Sequence, residues 1–153
     1  MSRPVFVLVP GASHSPLIYE PLRTALWHHG YTAYPLDLPS VGGNPPTYDF
    51  TEDVRAIRDL CSQLADAGED VILVMHAYGG LPGGEALWGL SKGEREQRGL
   101  PGGVIRLVFI MSCKSQRIRF NDVLVESRRW RGWRRRVLNR LGHNYDPELT
   151  NFC

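Results

Sequence analysis

Cysteine is scarce in this chain: only Cys61, Cys113 and Cys153 occur among 153 residues. Their spacing forms neither a disulfide framework nor a C-x-x-C pair. That excludes a small disulfide-stapled module, and each thiol reads as a bystander rather than a ligand. Long hydrophobic runs are missing as well. The apolar run in the opening MSRPVFVLVPG is only about five residues long and breaks into a glycine turn, too short for a secretory h-region. The expected compartment is the cytoplasm. Neither sign of charge dominates, with 18 Lys and Arg against 16 Asp and Glu. A hydrophobic fraction of 42% and a charged fraction of 22% exclude a disordered chain and describe one globular domain. No motif calls for a metal, and no cofactor is expected.

The balance of charge conceals an asymmetry. Residues 1–112 hold eight Lys and Arg against twelve Asp and Glu, whereas residues 113–153 hold ten against four. The chain changes character at Ser112.

Before that point strands and helices alternate, with no internal repeat. Pro4 to Val9 is a short buried-strand pattern ending at Pro10-Gly11. Ile18, Leu22, Ala25 and Leu26 then recur at the spacing of one helix face, with Gly30 placed to end it. Tyr31 to Leu36 predicts a second strand, and LDLPSVGGNPP a turn-rich loop. A second helix carries Val54, Ile57, Cys61 and Leu64 on one side before Gly68. Val71 to Met75 is a third strand, followed by a glycine-rich helix opening near Gly80. SKGEREQRG, 91–99, is a polar stretch, and Val104 to Met111 a fourth strand. This order predicts an α/β fold, a parallel sheet with flanking helices joined by right-handed crossovers. The loops PGASHS, DLPSVGG, HAYGG and Met111-Ser112 would then share the rim at the carboxyl ends of the strands, where such sheets collect ligands.

The segment VILVMHAYGG, 71–80, carries the central question. A strand runs into a tight turn, and the middle of that turn is Ala77, which has no oxygen. Together with Val9-Pro10-Gly11-Ala12-Ser13-His14, Asp37-Leu38-Pro39-Ser40 and the strand reaching Ser112, this segment resembles the amino-terminal half of α/β-hydrolases. It is most similar to fungal-type esterase-like members with V-P-G-A-x-H near the start and V-M-H-S-Y-G-G at the nucleophile elbow. The resemblance covers residues 1–112 and implies a truncated α/β-hydrolase fold.

In a G-x-S-x-G elbow the central residue is strained so that its hydroxyl enters the site, and small neighbours let strand and helix approach. Gly79 and Gly80 keep that role. Met75 replaces the first glycine, as in the resembling subgroup, whereas Ala77 in place of serine departs from the subgroup too. The resemblance implies an oxyanion hole made by the backbone N–H groups of Ala12 and Tyr78, neither of which depends on a side chain. His14, His76 and Ser112 fall on the pocket rim, where either histidine could touch a ligand or serve packing. The acid and base of the family follow the elbow. His143, in LGHNYDPEL, resembles the G-H-x-x-x-x-P setting of the family histidine; its alternative is a surface histidine. Asp122 and Asp146 are candidate acids between which nothing selects.

The expectation is a protein related to ester and carbonyl hydrolases but catalytically inactive as written, its ligand a small apolar or ester-like molecule. One alternative is a non-hydrolytic protein that binds a secondary metabolite in the old pocket. Another rests on SRRWRGWRRR, 127–136, whose arginines and tryptophans could bind nucleic acid or acidic lipid, although most charge runs are solvated faces. Residues 113–153 are expected to be a basic carboxyl-terminal tail outside the folded core. A sheet ending at the 104–111 strand would leave an open edge favouring self-association.

Overall fold

The computed structural model describes residues 3–112 in full and the backbone of 124–127. β1 (Val5–Val9) leads through a 3-10 turn (Pro16–Tyr19) into α1 (Glu20–His28), and β2 (Ala33–Pro35) follows. Then come α2 (Thr51–Asp66), β3 (Asp70–His76), a 3-10 turn (Ala77–Gly79) and α3 (Gly80–Ala86). α4 (Lys92–Gln97), β4 (Gly103–Ile110) and β5 (Leu124–Ser127) complete the described elements. The strands form one parallel sheet in the order β2-β1-β3-β4-β5, as the alternating pattern predicts. No helix among the described residues is long and apolar enough to cross a membrane.

Alternate strand residues serve two layers, because successive side chains point to opposite faces of a sheet. Val5, Val7, Val9, Val71, Leu73, Met75 and Leu107 join Ile57 and Cys61 of α2 and Ala86 of α3 in the larger core cluster. Leu8, Ile72 and Val74 meet Tyr19 in a smaller one on the opposite face. α2 is held through a stripe at four-residue steps, Asp53, Ile57, Cys61 and Ala65, all buried, and Gly68 follows it at φ +86°. α1 ends as expected, with Gly30 at φ +75°. Its predicted apolar face is nevertheless uncovered: Ile18, in the 3-10 turn, is 43% exposed, Leu22 is 37% exposed, and no α1 residue is buried.

Two expectations need correction. The polar stretch 91–99 contains a helix, α4, because Ser91 Oγ accepts from Glu94 N and donates to the Glu94 carboxylate, a side-chain cap written in the S-x-x-E spacing. The sheet also does not end on the 104–111 strand. β5 pairs with β4 in parallel, from Arg106 opposite Leu124 to Phe109 opposite Ser127. The edge on which self-association was to depend is therefore occupied, by residues from beyond Ser112. The backbone groups of β4 gain partners that an edge strand lacks.

Candidate functional site

The carboxyl ends of β1, β3 and β4 carry the site, and the backbone marks it. Three non-glycine residues of the described chain have positive φ: Ser13 at 59°, Ala77 at 47° and Met111 at 47°. Each follows one of these three adjacent strands. A left-handed conformation costs a residue with a Cβ about 1–2 kcal/mol, so the surrounding structure must hold it.

At Ala77 the restraints are visible. β3 ends at His76, and the 3-10 turn begins at once. A Cβ on Gly79 would lie 2.7 Å from the Pro10 carbonyl oxygen and 2.8 Å from Val9 Cγ1. Only glycine lets this turn approach the end of β1 so closely. Ser112 Oγ donates to the Ala77 carbonyl at 2.6 Å, tying the chain after β4 to the elbow. The fold thus keeps the strained elbow and places a methyl group where a hydroxyl would act.

Around Ala77 the first loop closes in. A Cβ on Gly11 would be 3.4 Å from Ala77 Cβ and 3.1 Å from His76 Nδ1. His14 Nδ1 lies 2.8 Å from the Ala12 carbonyl; a carbonyl only accepts, so Nδ1 carries the proton. The His14 and His76 rings meet edge to face, with centroids 6.0 Å apart. His76 Nδ1 is buried without a hydrogen-bond partner, which costs about 1–3 kcal/mol unless a ligand or water answers it. The residues predicted for the rim, His14, His76, Ala77 and Ser112, are therefore brought together. Ala12 lies in the loop beside them. Tyr78 lies in the first turn after the strand, where backbone N–H groups have no partner within the helix. His143, Asp122 and Asp146 lie outside the described residues.

Sequence reasoning missed the network behind Tyr78. Asp53, fully buried, accepts from Tyr78 OH at 2.7 Å, from Ser40 Oγ at 2.7 Å and from Ser40 N at 2.9 Å. Burial, and then the bond to Asp53, push the Tyr78 hydroxyl up to about 12, so it stays a donor. The signal was a carboxylate at a stripe position of α2, four residues before Ile57: a buried acid needs several donors, and the D-L-P-S loop supplies them. Behind β1, Tyr19 OH donates to the Val9 carbonyl at 2.8 Å. Burial alone raises that hydroxyl to about 12. Among the described residues no three of His, Cys, Asp and Glu converge as metal ligands would.

Comparison with known proteins agrees with this geometry. A family model described as the alpha/beta hydrolase family matches residues 6–151, running past Ser112. Alpha/beta hydrolase nvfD of Aspergillus novofumigatus is 37% identical over 113 residues, which are 72% of this chain and 43% of that protein. Probable hydrolase R7 of a Phoma species is 32% identical over 112 residues, with the same shares of 72% and 43%. The chain thus spans less than half the length of these relatives. Among solved structures, tomato methylketone synthase I complexed with 2-tridecanone superposes with a TM-score of 0.59 at 23% identity, over 80% of this chain and 45% of that one. A polyneuridine aldehyde esterase mutant gives 0.57 at 22% identity, over 73% and 41%. At that identity the likeness is one of fold. The strained turn after β3, the loop after β1 and the family match together identify the chain as a member of the alpha/beta hydrolase family.

Proposed function

We propose that the elbow of this chain binds a small carbonyl compound without acyl transfer through residue 77. The observation that carries this reading is Ala77 at φ +47°. The elbow geometry is kept at a cost of about 1–2 kcal/mol, while the atom that would attack a carbonyl is absent. Covalent catalysis needs a nucleophilic heteroatom, and a methyl group has no lone pair. Stabilising a carbonyl oxygen needs only preorganised donors. The backbone N–H groups of Ala12 and Tyr78 are the donors in this reading, and the Asp53–Tyr78 bond holds the second of them in place.

The ligand class is a ketone or ester with an apolar part. Tomato methylketone synthase I, similar in fold, was solved with 2-tridecanone and, as a variant, with beta-ketoheptanoate. Both of those ligands are ketones.

Neither histidine near Ala77 makes a carboxylate bond among the described residues, whereas a serine hydroxyl becomes a nucleophile only beside a base that is itself oriented. The test compares the chain as it stands with Ala77→Ser. Each is assayed for short acyl ester hydrolysis, for labelling by a fluorophosphonate and for binding of 2-tridecanone. The expected result is ketone binding by both proteins, ester turnover at the protein-free level, and no rapid labelling of either. Turnover by the unaltered chain that survives repurification and is lost on changing a residue other than 77 would overturn the reading. Rapid labelling of the Ala77→Ser variant at the substituted position would mean that a base is supplied, with His143 the first residue to test.

A further inference from the structure

We propose that Met111 selects the apolar part of the ligand at the elbow; this rests on the reading of that site as one for a carbonyl compound. β3 and β4 run in parallel, and their last paired residues are His76 and Ile110. Residues 77 and 111 are therefore the first residues past neighbouring strand ends, one inter-strand spacing of about 4.8 Å apart. Ser112 Oγ, bonded to the Ala77 carbonyl at 2.6 Å, holds that register beyond the strands.

Two features of Met111 work against stability. Its φ of 47° is a conformation that glycine, asparagine or aspartate adopts at lower cost. The residue is also 76% exposed, although nothing in a solvated turn requires a thioether. Local choices that oppose stability on two counts concentrate where a site needs them. Methionine is suited to such a task, because an unbranched, polarizable side chain shapes itself to varied apolar surfaces. Leu81, four residues after Ala77 and 39% exposed, extends the apolar rim on the other side of the elbow. The ligand that fits carries its carbonyl toward the Ala12 and Tyr78 amides and an alkyl or acyl chain across Met111.

The chain has three methionines, and Met75, fully buried, provides an internal reference. Full-length protein labelled at the methionine methyls and backbone amides is titrated with methyl ketones from 2-pentanone to 2-nonanone, and with primary alcohols of equal length. The expected result is that the Met111 methyl and the Ala12 and Tyr78 amides move together with ketones while Met75 stays still. Affinity should rise about fourfold for each methylene buried, and Met111→Ala should remove that rise while Met111→Leu keeps most of it. If the amides move but the Met111 methyl does not, and Met111→Ala keeps the dependence on chain length, the role of Met111 is overturned and the carbonyl site stands. If the Met111 methyl moves equally with alcohols and the amides stay still, Met111 is an apolar contact and the carbonyl reading falls. Silence at all three positions overturns both.

Discussion

On the side of the sheet that faces α2, α3 and α4, Val7, Val9, Leu73, Met75 and Leu107 are completely buried, and Ile57, Cys61 and Leu87 close over them. On the side that faces α1, the buried cluster is Leu8, Tyr19, Ile72 and Val74, with Phe6, Ile105 and Val108 only partly covered. The same strands supply both faces. The difference lies in the helices: α2 buries four residues along its stripe, whereas α1 buries none and leaves Trp27 72% exposed. A periodic apolar stripe states which face of a helix prefers burial, but burial also needs a surface to receive it. The finished face holds Asp53 and, through it, Tyr78, so the site rests on the better-packed side.

The largest expected effect breaks the comparison if it fails. Ile57→Ala removes a fully buried side chain from the α2 face and should cost about 3 kcal/mol, read as a lower urea midpoint at an unchanged slope. A cost below about 1 kcal/mol would mean that this face is not the main core.

A second effect separates the faces by pH. Burial raises the Cys61 thiol from 9.0 to about 12 and the Tyr19 hydroxyl from 10.0 to about 12, and Tyr78 is raised to about 12 as well. In each case the native state holds its proton more tightly than the unfolded chain does. Their contributions are therefore complete below the unfolded values and are lost as pH rises through about 12. The melting temperature should be insensitive to these groups up to pH 9.0 and fall between there and about 12. Tyr19→Phe takes away the contribution of the α1 face, so it should make that alkaline fall shallower while lowering stability at neutral pH by about 1 kcal/mol through the unanswered Val9 carbonyl. An unchanged alkaline slope would assign the whole effect to the α2 side.

The smallest effect is on the thin face. Leu22, 37% exposed, should cost only about 0.5 kcal/mol as Leu22→Ala, measured on the same urea series as Ile57→Ala. A loss rivaling that of Ile57 would show that α1 is packed far better than its exposure indicates.

Much of this architecture could be read from residue order. The period-two and period-3.6 patterns placed β1, α2, β3 and β4, because a strand or helix with one buried side must repeat apolar residues at its own period. The turn motifs placed the rim for the same local reason: Pro10-Gly11 and Gly79-Gly80 are what sharp turns require. β5 was not legible. A four-residue strand inside a strongly basic segment has too short a pattern to stand out, and its position is decided by the unpaired backbone of β4.

What the sequence by itself determined is the alternating order of elements, the elbow at 76–80 and the loss of its nucleophile, since Ala77 lacks an oxygen in any fold. Only the tertiary structure decided that the elbow keeps its strain, that Asp53 gathers Ser40 and Tyr78 beneath it, and that Met111 stands beside residue 77. Those facts join positions far apart in the chain, and local periodicity carries no information about such pairs until β1, β3 and β4 lie side by side. The uncovered stripe of α1 was decided in the same way, because the helix proposes a buried face and the packing available to it disposes.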